Sequence, residues 1–169
     1  MKRIIAIVVM FLMLMSLAAC GNNQETTGEK SKAPNLFVYD DQGNQLRLAD
    51  FEGKPIVLNF WASWCEPCQA EMSGFQKMYE TYGDQIHFVM VNMTDGEQET
   101  VESANAFVSQ NGYTFPVYYD SSSLARLFYG IQTIPATFFI DAEGYMVTYI
   151  DGMLAADQLQ LGIDMILPQ

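Results

Sequence analysis

Residues 61–69 read WASWCEPCQ, with Cys65 and Cys68 separated only by Glu66 and Pro67. The rest of the 169-residue chain holds one further cysteine, Cys20. Cysteines this close serve as a structural staple, as part of a metal site or as a redox pair. Structural zinc asks for about four Cys or His ligands. Apart from Cys20, the chain offers these two thiols and a single histidine, His87. His87 opens a stretch of strand character and reads as a strand-edge residue rather than a ligand or a base. A staple across so short a loop removes little entropy from the unfolded chain. A dithiol that exchanges with disulfides, through its thiolate, needs only these two residues.

Such a pair depends on the elements that hold it. Ile56 to Ala62, IVLNFWA, is near-continuously apolar, the pattern of a strand buried on both faces. Beyond Pro67, Met72, Phe75, Met78, Tyr79 and Tyr82 recur at spacings of three and four. That is the face of an amphipathic helix, with Gly83 as its stop. The cysteines therefore lie where a buried strand ends and a helix begins. Pro67 suits the first helical turn, where its missing N–H is not needed. The free N–H groups and the positive end of the helix dipole stabilise a thiolate there.

The remaining elements fall around this junction. NLFVYDDQGNQLRLADFEGKP alternates about a turn and reads as a hairpin leading into a loop. IHFVMVNM is a second central strand, and GEQETVESANAFVSQNG a second helix with Val101, Ala104 and Val108 on one face. A short extended piece around Pro116 follows, then a short helix with serine caps, a strand pair turning at Asp141 to Gly144, and a closing helix. The pattern is α/β, with a central mixed β-sheet flanked by helices.

The N-terminus reads as an export signal: Met1-Lys2-Arg3, then an apolar run from Ile4 to Leu17, too short to span a bilayer comfortably. It ends in LAAC, which resembles the lipobox of bacterial lipoproteins. That resemblance implies cleavage after residue 19 and lipid on Cys20. A cleaved signal with a stray cysteine and an uncleaved anchor are the alternatives. Residues 21–34 are polar and aperiodic, a tether with a reach of about 20 Å. The organisation expected is a signal peptide over 1–19, a lipidated cysteine and tether over 20–34, and one domain over 35–169. Export permits a persistent disulfide. With 8 basic and 20 acidic residues, the chain is a poor partner for nucleic acid. It is equally poor at electrostatic adhesion to anionic lipid, so the anchor falls to Cys20.

Two segments, NFWASWCEPC (Asn59 to Cys68) and GIQTIPATFFIDAEG (Gly130 to Gly144), resemble the thioredoxin-fold ResA/TlpA-like membrane-tethered thiol-disulfide oxidoreductases, within the wider redoxin and AhpC/TSA-related superfamily. The likeness runs from Leu36 to Leu167 and includes the extra segment at Val101 to Tyr119 that marks this branch. It implies a thioredoxin-like fold with an N-terminal hairpin, attack by Cys65, resolution by Cys68, and a cis proline, Pro135, facing the disulfide. Glu71 matches an acidic residue near the active site of ResA-like members and is expected to tune the thiols; the plainer alternative is a surface glutamate. Trp64, Glu66, Pro67 and Ile134 are expected to dock partners, with Trp61 in the core. Asn59 departs from plain thioredoxins, which bury an acid at that position.

The resemblance further implies an extracytoplasmic monomer without cofactor or metal, acting on thiols and disulfides of exported proteins and supplied with electrons by a membrane thiol-relay protein. Apocytochrome c and methionine sulfoxide reductase are the partners it suggests. Glu66 beside the thiols disfavours the thiolate and points to a reductant. The rival enzyme is a peroxiredoxin-type thiol peroxidase, whose family has Thr or Ser where this chain has Ala62. The non-catalytic rival is a substrate-binding lipoprotein, for which a single domain of this size is too small.

Overall fold

The computed structural model describes residues 30–121 and 123–168, so the signal segment, Cys20 and most of the tether lie outside the described residues. Seven strands form one mixed sheet in the order β2-β1-β5-β4-β3-β6-β7. They are β1 (Phe37–Tyr39), β2 (Gln45–Arg47), β3 (Ile56–Trp61), β4 (His87–Asn92), β5 (Val117–Tyr119), β6 (Ala136–Ile140) and β7 (Met146–Asp151). The helices are α1 (Glu66–Tyr82), α2 (Val101–Gln110), α3 (Leu124–Tyr129) and α4 (Ala156–Ile166). The element order is the one the sequence implies.

The middle of the sheet is set by apolar runs that can be satisfied only from both sides. β3 is buried along its whole length, parallel to β4 and antiparallel to β6. Side chains alternate across a strand. Val57 and Trp61 therefore pack with Met72, Phe75, Phe139 and Ile163 on one face. Ile56, Leu58 and Phe60 pack with Ala125, Tyr129 and Phe138 on the other. The second helix starts at Val101, later than its polar lead-in suggests. Thr100 and Ser103 form a reciprocal capping box there, and Asp95 folds the preceding residues by accepting the Glu97 and Glu99 N–H groups.

Ordered contacts begin ahead of Asn35, where the sequence places the start of the domain. Lys32 bridges Tyr145 in antiparallel fashion. Ala33 N donates to Gly144 O and Met146 N to Ser31 O, each at 2.9 Å. Tyr129 donates its hydroxyl to Pro34 O at 2.8 Å. Polarity made this segment look like free tether, but backbone pairing to a turn needs no apolar side chain. His87 opens β4 opposite Ile56, at the end of β3 away from the cysteines. Among the described residues no helix is long and apolar enough to cross a membrane.

Candidate active site

β3 delivers the chain to the site and α1 opens on it. Beyond Trp61 the backbone turns, with Cys65 N donating to Ala62 O at 3.2 Å. Cys65 is the N-cap of α1, and its Sγ accepts the Cys68 N–H at 3.3 Å. The sulfur thus occupies the place usually taken by a Ser or Asp oxygen, among the unpaired N–H groups of the helix start. Pro67 lies in the first helical turn. Cys65 and Cys68 are joined as a disulfide. Cys68 is 0% exposed and Cys65 4%, and only Cys65 lines the adjoining groove. Cys65 is the sulfur that faces the groove.

The opposite wall is the loop into β6. The Ile134–Pro135 bond is cis, and Ile134 O lies 3.7 Å from Cys65 Sγ. A groove of about 430 Å³ runs past Cys65, lined among others by Trp64, Glu66, Pro67, Met93 and Ile134. The four residues expected to dock partners therefore share one surface. A second hollow, of about 460 Å³, lies between Pro67, Ala70, Pro135 and Met153. Trp64 is half exposed at the rim, whereas Trp61 is fully buried against Phe107.

Glu71 is not a surface residue. It belongs to the buried stripe of α1 with Cys68, Met72, Phe75 and Met78, three residues on from the inner cysteine. Its Oε1 accepts from Asn59 Nδ2 at 3.0 Å and its Oε2 from Leu154 N at 2.8 Å. Burial pushes its pKa up to about 7, against the pull of the Leu154 N–H and the Asn59 amide. Asn59 and Glu71, separate features in the sequence, are thus one buried pair, with the acid on the helix and the amide on the strand.

The AhpC/TSA family matches residues 30–149 of this chain. The chain belongs to the AhpC/TSA family. The thiol-disulfide oxidoreductase ResA of Bacillus thuringiensis (strain Al Hakam) is 35% identical over 129 residues, covering 76% of this chain and 73% of that protein. The structure is similar to a putative thiol:disulfide interchange protein DsbE from Chlorobium tepidum, with TM-score 0.73 and 28% identity over 82% of this chain and 97% of that one. It is also similar to the exposed lipoprotein thioredoxin of Streptococcus pneumoniae strain TIGR4, with TM-score 0.63 and 30% identity over 77% and 98%. With the Cys65–Cys68 pair in place, this AhpC/TSA-family member is a thiol-disulfide oxidoreductase of ResA type with a thioredoxin-like fold.

One residue of the enzyme's site escaped the sequence reading. Glu99, in the loop before α2, is 0% exposed. Its Oε1 accepts from Ser63 N at 2.9 Å and Asn92 Nδ2 at 2.6 Å, and its Oε2 from Ser63 Oγ at 2.7 Å. It grips the arm two residues before Cys65, while Gln69 of α1 donates to Ser63 O from the other side. Nothing in DGEQET marks which polar residue turns inward, because the loop's conformation decides it.

Proposed function

We propose that the enzyme reduces disulfides in exported proteins, working outside the cytoplasm from a lipid anchor on Cys20. The observation that carries the redox role is the Cys65 sulfur capping α1 in an open groove, with Cys68 buried behind it. The Cys65 thiolate attacks one sulfur of a partner's disulfide. The partner's S–S bond breaks, its other sulfur leaves and takes up a proton, and a mixed disulfide forms. Cys68 gives its proton to Glu71 and attacks Cys65 Sγ, releasing the partner's second thiol and closing Cys65–Cys68. Two electrons pass to the partner and are returned by a membrane thiol-relay donor.

The reducing direction rests on Glu66, exposed beside the pair, and on the lack of a histidine between the cysteines. Equilibration with glutathione tests it: a reducing potential is expected, and one near about −120 mV, that of a strong oxidant, overturns it. Partner identity is read by trapping. Cys68→Ser leaves the mixed disulfide on Cys65 unresolved, and mass spectrometry of the adduct separates apocytochrome c from methionine sulfoxide reductase.

The anchor is supported by Leu17-Ala18-Ala19-Cys20 and by the likeness to a pneumococcal lipoprotein. Intact mass of membrane-extracted protein is expected to show a chain beginning at Cys20 with acyl groups; an unmodified thiol there excludes the anchor. The described chain enters the domain at the turn Asp141–Gly144. Ile140 pairs with Ile56, and Ala136 with Phe60, so this is the pole opposite Cys65. A tether meeting that pole turns the groove away from the membrane.

A further inference from the structure

Asn59 sits in the middle of β3 and is 0% exposed. It is in register with Thr137 on β6. Its Nδ2 donates to Glu71 Oε1 and to Thr137 Oγ1, each at 3.0 Å. Its Oδ1 is buried and finds no hydrogen-bond partner among the described residues. An amide oxygen left so forfeits the hydrogen bond it would make with water. The arrangement suits an ionised Glu71, which accepts from Asn59 on one oxygen and from the Leu154 N–H on the other.

A protonated Glu71 does not fit it. The Leu154 N–H cannot accept, so Oε2 keeps that bond and the proton goes to Oε1. There it faces the Asn59 amide hydrogens, donor against donor. Turning the amide by half a revolution brings Oδ1 to the same two neighbours. It then accepts from Glu71 Oε1–H and from the Thr137 hydroxyl, which donates as readily as it accepts. In that state Nδ2 takes the position without a partner. Each orientation leaves one end of the amide unpaired, the oxygen in one state and the N–H hydrogens in the other, and the proton on Glu71 shifts the balance between them.

We propose that Asn59 is a positioning residue whose side-chain amide reverses as Glu71 gains or loses its proton, with Thr137 reversing its hydroxyl, so that the acid is held on the buried stripe beside Cys68 in both states. The inference rests on the reading of Glu71 as the proton acceptor for Cys68. No neighbouring charge contributes to the Glu71 shift. β3, β6 and the chain after β7 present it with Asn59, Thr137 and the Leu154 N–H, none of which titrates. At the head of its own helix the two cysteines are joined as a disulfide and do not titrate, and Glu66, Lys77, Tyr79, Glu80 and Tyr82, the other titratable groups of α1, contribute nothing to the shift.

The test uses oxidised full-length protein labelled with 15N at asparagine and 13C at glutamate side chains, followed by NMR between pH 5 and 9. The Asn59 side-chain amide resonances are expected to move in a single step with the same midpoint as the Glu71 carboxyl, near pH 7. The step is expected to vanish in Glu71→Gln. An Asn59 amide that stays still while Glu71 titrates overturns the reversal and leaves Glu71 its role. A Glu71 carboxyl that does not titrate in this range overturns the role of Glu71 as well. A step that persists in Glu71→Gln shows that the amide follows another group, and the proposal fails.

Discussion

A carboxyl buried beside a disulfide holds its proton more tightly in the folded chain than in the unfolded one. For Glu71 the window runs from its ordinary 4.5 to about 7 in the fold. Within it the folded state binds one proton more, so stability falls as pH rises, by at most about 1.4 kcal/mol per pH unit. The contribution is fully present below pH 4.5 and lost above about pH 7. Glu71→Gln is expected to flatten that fall, as urea denaturation of the oxidised protein at pH 5 and pH 8 would show. Glu99 makes a different demand. Glu99→Ala strands the Ser63 N–H and the Asn92 amide in the interior, for a loss of about 3 kcal/mol. Glu99→Gln is expected to recover most of it, because an amide oxygen still accepts from Ser63; a silent Glu99→Ala would remove the grip on the Cys65 arm. At this scale the motif was legible because Trp-Cys-Glu-Pro-Cys names its own chemistry. The inward turns of Glu71 and Glu99 were not, because a charged side chain is buried only once several elements supply its donors.

Helices and strands were easier to see than their neighbours. Apolar periodicity marked β3, β4, α1 and α2, but the start of α2 is set by the Thr100–Ser103 capping box, which the polar lead-in concealed. Strand order is carried by contacts between distant residues. The single pairing of Tyr39 with Tyr119 is what joins the N-terminal hairpin to β5. Close packing was hidden as well. Gly162 lies inside α4, where glycine costs about 1 kcal/mol relative to alanine. A Cβ there would come within 2.2 Å of the Phe139 ring, so α4 reaches the sheet only over a residue without one. Gly162→Ala is therefore expected to lower the thermal midpoint, with an overpacking cost of about 1–3 kcal/mol exceeding the helical gain. A raised midpoint would show that α4 can lift off Phe139 freely.

Across the whole molecule the sheet separates two poles. One carries Cys65, the cis Ile134–Pro135 bond and the groove; the other receives residues 30–34 and their pairing to the β6–β7 turn. A chain starting at Asn35 loses the Lys32–Tyr145 bridge and the acceptor for Tyr129. It is expected to melt earlier than one starting at Lys30 while reacting with dithiothreitol at an unchanged rate, since the loss lies at the far pole. A changed rate would mean that the two poles communicate. The central claim is that Cys65 and Cys68 act as one two-electron couple. Differential alkylation with peptide mapping across a dithiothreitol redox titration tests it most directly. Both thiols are expected to appear together, with a single midpoint and a two-electron slope. One sulfur titrating without the other, or a pair that never opens, would contradict it.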